Sequence, residues 1–343
     1  TIQFPAPTNQ GQQQPKATPT NTLTTYSYSS HPMSAASDAT EFCAACGRLW
    51  GRNGTDGLKT CTACKLVKYC CVDCQKSHRP LHKKECKKRA AAIFDEKLFA
   101  DPPPRGDCLI CFIPQPHPTK TMYQNCCGQN ICNGCIISME TSVCPFCRES
   151  SETTDEEGIE RIKKRMEIND AEAFNTLGCH YHDGLRGSIA QDYDKSRELW
   201  SQAAALGSIL AHRNLAARYY EGEGVKKDVK KAIHHWELAA MGGHEVARHN
   251  LGVEEEKRGN LKTRAIKHYI LAAKAGYDDA MYQVKRGFMN GYVTKEDFEK
   301  TLRAYQKSLD EVKSEQRDKA EVVNAEIARE NEFYADLASK ENE

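Results

Sequence analysis

Seventeen cysteines stand in this 343-residue chain, and sixteen of them crowd into two short stretches. Eight fall between residues 43 and 86 and eight between 108 and 147, which leaves only Cys179 elsewhere. That distribution constrains the fold more than any other feature. A disulfide scaffold is small and secreted, and it closes loops between distant cysteines. Here the thiols come as C-x2-C pairs interleaved with His and Lys, ahead of a long helical segment. The pattern implies zinc rather than disulfides, and a reducing compartment, cytoplasmic or nuclear.

The first set reads Cys43-x2-Cys46, Cys61-x2-Cys64, Cys70-x3-Cys74 and His82-x3-Cys86. Eight ligands suffice for two tetrahedral zinc ions. A C-x2-C turn lets two thiolates reach one ion. Residues four apart share one helix face, which suits the Cys70/Cys74 and His82/Cys86 pairs. A segment this short has no space for a core, so the metal supplies folding energy, roughly 10–16 kcal/mol per structural site. The ligand order resembles the MYND zinc finger, and Tyr69, Gln75 and His82-Lys83 also match that family. The resemblance implies interleaved sites, Cys43, Cys46, Cys70 and Cys74 on one ion, and Cys61, Cys64, His82 and Cys86 on the other. Cys71 is then a spare thiol and His78 an exposed helix residue. MYND fingers are mainly protein-interaction modules. Some bind proline-rich peptides beside a Gln and a Trp. Gln75 is present, but Arg79 stands where the Trp is expected, so that peptide mode is not carried over. The basic stretch Lys83 to Arg89 reads as a solvated helix face that offsets thiolate charge. No methyltransferase SET domain accompanies the finger.

The second set reads Cys108-x2-Cys111, Cys126-Cys127, Cys132-x2-Cys135 and Cys144-Pro145-Phe146-Cys147-Arg148. It again offers eight thiolates for two ions, about four zinc per chain in all. The terminal C-P-F-C-R and the C-x2-C-Ile at 132–136 resemble an all-cysteine RING finger. The middle departs from that family. Gln129 falls where a His is common, and adjacent Cys126 and Cys127 must supply two ligands, which leaves room for a loosened second site. The resemblance implies Cys108, Cys111, Cys132 and Cys135 on one zinc, and Cys126, Cys127, Cys144 and Cys147 on the other. It also implies a contact surface for a ubiquitin-charged E2 enzyme at Ile110 and Pro145, with Arg148 placed to bridge E2 and ubiquitin. A RING does no covalent chemistry and acts by positioning. The short segment between Cys135 and Cys144 lacks the Trp often seen on the E2 face.

From about residue 160 the pattern is helical and repeats. Ala203-Ala204-x2-Gly207 aligns with Ala239-Ala240-x2-Gly243 and Ala272-Ala273-x2-Gly276, at steps of 36 and 33. Trp200, Trp236 and Tyr269 keep the same steps. Ala173-x3-Leu177-Gly178, Ala211-x3-Leu215-Ala216 and Ala247-x3-Leu251-Gly252 recur at 38 and 36. A weaker fourth copy starts at Ala280. A period of this length with two helical blocks per unit indicates an α-solenoid. Small residues let paired helices approach, and the glycines sit where a helix must end in a left-handed cap. Tyr220-Glu221-Gly222-Glu223-Gly224-Val225 with Asp228 and Lys231-Ala232 resembles the Sel1-like repeat. Gly184-Leu185-Arg186-Gly187 is a longer loop in repeat one, and Lys257-Arg258-Gly259-Asn260 replaces the glycine loop in repeat three.

The expected fold is therefore mainly α, two small cross-brace zinc fingers followed by an α-solenoid of Sel1-like helical repeats. Residues 1–40, rich in Thr, Pro, Gln and Ser, read as a disordered tail. The MYND-type finger takes 41–90 and the RING-type finger 105–149. A short helix is expected over 87–101, stopped by Asp101-Pro102-Pro103-Pro104. An acidic linker is expected over 150–165, the solenoid over 166–310, and a charged helix or tail over 311–343. The chain starts at Thr1, which reads as a fragment.

Lys plus Arg total 48 and Asp plus Glu 47, a net charge of +1. That excludes a globally basic protein held on nucleic acid by bulk charge, and no base-reading element supports such contact. Mean hydropathy is −0.68, and no apolar run approaches the ~20 residues of a membrane span. Cys179, with His180 and His182 nearby, reads as repeat-helix packing, as does His234-His235 beside Trp236. Two functions from different classes follow. The first is a RING-type E3 ubiquitin ligase, with the RING holding an E2 and the solenoid and MYND finger recruiting protein substrates or partners. The alternative is a non-catalytic protein-interaction scaffold with structural zinc.

Overall fold

The computed structural model describes residues 42–48, 57–139, 142–150, 154–185 and 188–340. The tail expected over 1–40 and part of the loop 184–187 lie outside these residues. The chain divides into two compact units, residues up to His82 and residues from Lys83 onward, with the boundary inside one helix.

In the first unit, strands β1 (Lys59–Thr60) and β2 (Lys68–Tyr69) pair antiparallel, with Lys59 opposite Tyr69. They hand the chain to α1 (Val72–Leu98), which opens with Asp73 in its first turn, where a carboxylate suits the positive helix end. The short helix expected over 87–101 is thus part of a longer one. It begins fifteen residues earlier, carries Pro80 in its interior, and ends three residues sooner at Leu98. The i,i+4 spacing of both ligand pairs already asked for helix across 70–86, and α1 joins that stretch to the next.

The second unit contains the second cysteine module and all the repeat helices. Strands β3 (Thr121–Tyr123) and β4 (Asn130–Cys132) pair antiparallel, and α2 (Asn133–Ser138) follows directly. The acidic run expected as linker over 150–165 is mostly helix instead. Thr154 caps α3 (Asp155–Glu167) in a reciprocal capping box with Glu157, and Asp155, Glu156 and Glu157 fill its first turn. An acidic cluster after a Thr is a helix-start signal, because carboxylates there meet unpaired N–H groups.

Eight helices then run in antiparallel pairs, α4 (Ala171–Asp183) with α5 (Tyr193–Ala205), α6 (Ile209–Glu221) with α7 (Val229–Met241), α8 (Glu245–Lys257) with α9 (Ile266–Lys274), and α10 (Asp278–Met289) with α11 (Lys295–Glu311). A π-helical turn, Leu261–Ala265, leads into α9. Trp200, Trp236 and Tyr269 are buried one in each of the first three pairs. Each needs a small partner. A Cβ on Gly178 would lie 2.7 Å from the Trp200 ring, and one on Gly252 2.5 Å from Tyr269. The sharp turns between pairs carry Gly207, Gly243 and Gly276 at φ +97°, +99° and +88°, a region that side chains with a Cβ avoid. The first residue after each of two such turns caps the next helix: Ser208 Oγ accepts from Ala211 N, and His244 Nδ1 from Ala247 N. The charged C-terminal segment is α12 (Glu315–Lys340), which packs on α2 of the cysteine module.

Candidate metal centres

One backbone turn recurs at the metal-ligand pairs. After each of four C-x2-C pairs, the next residue takes a left-handed conformation: Gly47 (φ 71°), Lys65 (57°), Phe112 (55°) and Arg148 (66°). Its N–H returns to the carbonyl of the first cysteine, as in Phe112 N to Cys108 O at 2.8 Å and Arg148 N to Cys144 O at 3.0 Å. This curl aims both sulfurs the same way. The awkward Cys126-Cys127 pair sits on a fifth such curl. Gly128 (φ 78°) donates to Gln124 O at 2.7 Å, so Cys127 holds the second-cysteine position and Gln124 holds the first. Cys126 supplies the sulfur that Gln124 lacks.

The structure gathers sixteen side chains into four groups. They are Cys43, Cys46, Cys70 and Cys74; Cys61, Cys64, His82 and Cys86; Cys108, Cys111, Cys132 and Cys135; and Cys126, Cys127, Cys144 and Cys147. Within each group all donor atoms lie within 4.8 Å of one another. A tetrahedral zinc with Zn–S bonds near 2.3 Å sets its sulfurs about 3.8 Å apart. The observed separations fit. Cys46 and Cys70 are 3.7 Å apart, Cys111 and Cys132 3.9 Å, and Cys127 and Cys144 3.7 Å. Soft thiolates with at most one imidazole select zinc over hard cations. Four donors per group fill the tetrahedron and leave no position for a metal-activated water, so the chemistry is structural.

The electrostatics of the thiols match this purpose. Burial opposes ionisation of Cys108, but N–H groups of Cys132, Cys111 and Ile110 outweigh it and bring the thiol down to about 6. Burial likewise opposes Cys43, and the N–H groups of Cys46, Cys70 and Ala45 bring it to about 6. Their neighbours move the other way. Burial first, then the adjacent sulfurs, push Cys135 and Cys126 up. Like charges cannot crowd together unaided, and a zinc dication supplies the opposite charge such a group requires.

Two residues set aside in the sequence have definite places. Cys71 is exposed, and its sulfur accepts from Cys74 N at 3.4 Å at the start of α1. His78, expected to be an exposed helix residue, is only half-exposed. Its Nδ1 lies 3.1 Å from the Tyr69 hydroxyl and its ring stacks at 5.7 Å on ligand His82. It therefore buttresses a ligand, as outer-shell partners of metal sites do.

The second module is anchored at both ends by groups that spacing did not mark. At one end, Tyr123 Oη donates to Asp170 Oδ2 at 2.8 Å, and Arg165 Nε donates to the same oxygen at 2.9 Å. Burial opposes the Asp170 charge, but Tyr123 and Arg165 outweigh it and hold the carboxyl below its usual range. Gly128 fits against this group so closely that a Cβ would lie 2.7 Å from Asp170 Oδ2. At the other end, Arg317 of α12 is buried. Its Nη2 donates to Cys111 Sγ at 3.5 Å and its Nη1 to Pro114 O at 2.8 Å. Burial works against this cation, and the Cys132 and Cys111 sulfurs raise its pKa above the usual value. Gly134 admits α12, since a Cβ there would lie 2.8 Å from the Arg317 nitrogen. A glycine inside the Cys132–Cys135 pair was the only sequence signal for this contact. Arg317 itself looked like one more charge on a charged helix.

The residues singled out for E2 contact fall as follows. Ile110 is half-buried and packs, as Ile136 and Met139 do, against the buried cluster of Cys108, Ile131, Cys132 and Cys135. Pro145 is half-buried, and Arg148 is exposed in the left-handed position of its curl.

Comparison with known proteins places two of the three modules. The MYND finger model matches residues 43–86, and the Sel1 repeat model matches 175–208, 209–244 and 247–277. No curated protein matches the chain. Among solved structures, a Sel1 repeat protein from Oxalobacter formigenes is 24% identical over 47% of this chain and 66% of its own, with a TM-score of 0.40. The protective antigen c5321 of uropathogenic Escherichia coli is 29% identical over 45% of this chain and 33% of its own, with a TM-score of 0.38. Helicobacter pylori cysteine rich protein B is 26% identical over 29% of this chain and 72% of its own, with a TM-score of 0.27. No described helix is long and apolar enough to cross a membrane. The chain is thus a mainly helical protein that joins a zinc-binding MYND finger to Sel1 repeats, with a second cysteine module between them.

Proposed function

We propose that this protein is a non-catalytic interaction scaffold, in which zinc-built fingers and a helical solenoid each offer a surface to partner proteins in a reducing compartment, cytoplasmic or nuclear. The observation that carries this reading is the closed coordination of all four metal groups beside a repeat array. Among the described residues, neither part presents an open metal position or a phosphate-binding loop. Both parts belong to module types that act by binding.

A second reading, ubiquitin transfer by the second module, is favoured by one specific observation. Ile110 and Met139 both pack, partly buried, against the core of a module whose cysteines interleave in two groups, with Pro145 half-buried on the last pair. One assay separates the two readings. Zinc-loaded protein is mixed with a panel of ubiquitin-charged E2 enzymes and compared with its Ile110→Ala variant. The scaffold reading expects no discharge above background from either protein. Discharge by the parent that disappears in the variant, at unchanged zinc content, would replace it with the ligase reading.

A further inference from the structure

The surface made by α7, α8 and α9 already holds a peptide, and that peptide is part of this chain. From Asp95 to Pro104 the chain leaves the end of α1 and crosses these helices in a continuous line of contacts. Leu98 is fully buried with Ala239, Ala240, Ala247 and Leu251. The Phe99 ring lies 4.7 Å from that of His268, with the Arg264 guanidinium 5.1 Å and Lys267 Nζ 5.4 Å from its centre. Arg264 Nη1 also reaches Asp95 Oδ2 at 2.7 Å. Pro102 and Pro103 then pass over Gly243, close to where a Cβ would stand.

Two features of the socket are not matched by the segment in it. Arg248 is 3% exposed, and among the described residues its hydrogen bonds run to carbonyls alone, Leu98 O and Ala240 O, the latter at 2.6 Å. These carbonyls stand at the negative ends of α1 and α7, a partial charge only. Burial brings the Arg248 pKa down to about 10. His268 is 1% exposed, and its Nδ1 has no hydrogen-bond partner among the described residues. A buried cation without a carboxylate and a buried ring nitrogen without a partner are both costly. A segment that keeps the leucine–aromatic pair but brings its acidic group within reach of Arg248, and a polar atom on its aromatic ring within reach of His268 Nδ1, would satisfy more of the socket than the cis segment does.

We propose that this surface is a docking groove for a linear partner segment carrying, in order, an acidic side chain, a leucine–aromatic pair and a proline run, and that Asp95–Pro104 occupies it in cis until such a segment displaces it. The groove deepens the scaffold reading, on which it rests, by giving the solenoid a ligand chemistry. It also makes recruitment competitive. Tethering holds the cis segment at a millimolar-range effective concentration, so only a better-matched or abundant partner opens the groove.

The test uses the unmodified, zinc-loaded full chain and a synthetic peptide of the sequence from Asp95 to Arg105. In the free protein, Phe99 N donates to Asp95 O and Ala100 N to Lys97 O in a last turn of α1 that buried Leu98 pins to α7 and α8, so both amides report the fraying of that turn when Leu98 leaves its site. With the peptide at about ten times its affinity for the opened groove, hydrogen exchange at Phe99 and Ala100 rises about tenfold while α7–α9 stay protected. A scrambled peptide leaves exchange unchanged. As a second measurement, labelled peptide binds a Leu98→Ser/Phe99→Ser chain at least tenfold more tightly than the parent, and adding Arg264→Ala removes the gain. If exchange at Phe99 and Ala100 tracks that of α7 and ignores the peptide, the segment is permanent core and the proposal is overturned. An equal response to the scrambled peptide also overturns it. Should the double variant lose helical signal, the exchange result on the native chain decides. Failure here leaves the scaffold reading standing, because that reading is settled by the E2 assay.

Discussion

At the scale of single residues, the second cysteine module is governed by backbone positions that side-chain chemistry conceals. Gly128 carries φ +78°, and a Cβ there would lie 2.2 Å from Arg165 Nη2 and 2.7 Å from Asp170 Oδ2. Gly128→Ala therefore combines a left-handed penalty with the breaking of a partly buried ion pair. We expect it to destabilise the second unit by about 2 kcal/mol or more, read as a lower urea midpoint at unchanged slope. The same curl answers the difficulty raised by adjacent Cys126 and Cys127. Their spacing is awkward in the sequence because neighbouring residues must both reach one ion. In the structure Gln124 starts the curl, so the pair is a displaced version of the same motif. No property of Gln124 as a side chain announces this.

At the scale of elements, the repeat helices are capped and packed by groups that lose their role when charged. His244 accepts a hydrogen bond from Ala247 N at the start of α8, and an imidazolium cannot accept. Burial first, then the nearby His117 and Arg213, bring His244 down to about 3. Burial, with Arg248 and Arg264, brings His268 to about 3, and burial with His212, His234 and Lys231 brings His235 to about 4. An unfolded histidine titrates near 6.5. Below that pH the unfolded chain binds more protons than the folded one, so stability falls as pH drops from about 6.5 towards 3. Denaturant midpoints followed by Trp200 and Trp236 fluorescence should decline over this range. His244→Asn, which keeps an acceptor at the cap, should show a smaller decline.

Much at this scale was legible in the sequence, and for definite reasons. The repeat registered because Trp200, Trp236 and Tyr269 each demand a small residue opposite, so large and small positions recur together. The sixteen ligands stood out because metal geometry fixes their spacing, and they are the side chains the structure gathers into four groups. The acidic run that opens α3 reads as linker from charge alone, whereas charge after a Thr cap says helix. The ligand spacing asked for helix near 70–86 and the composition for a short helix over 87–101, and α1 joins the two into one helix that runs through Pro80. Contacts such as Arg317 with Cys111 were invisible, since nothing local to either residue refers to the other.

At the scale of the whole molecule, metal and solenoid are parts of one structure within the second unit. Arg317 donates to a ligand sulfur, and Lys120 of the cysteine module pairs with Glu321 of α12 at 2.5 Å. Stripping zinc with a chelator should therefore do more than melt the fingers. With the Cys111 group gone, α12 should lose its dock and exchange its amides rapidly, while α4 to α9 keep theirs. Metal analysis before treatment should give about four zinc per chain, and hydrogen exchange before and after should localise the loss. Retention of α12 protection after complete zinc removal would show that Arg317 is held by its carbonyl partners alone.

The contact between Arg317 and Cys111 also sets an order of events during synthesis. The two residues are 206 positions apart. At about 5–20 residues per second, the ribosome needs roughly 10–40 s to cover that distance. Throughout that interval the second cysteine module has emerged, can take up metal, and stands with its α2 surface open. Its final cover arrives only when α12 is made. The young chain thus passes through a stage in which a loaded metal centre is exposed, and chaperones or competing thiols meet it there before α12 closes the surface.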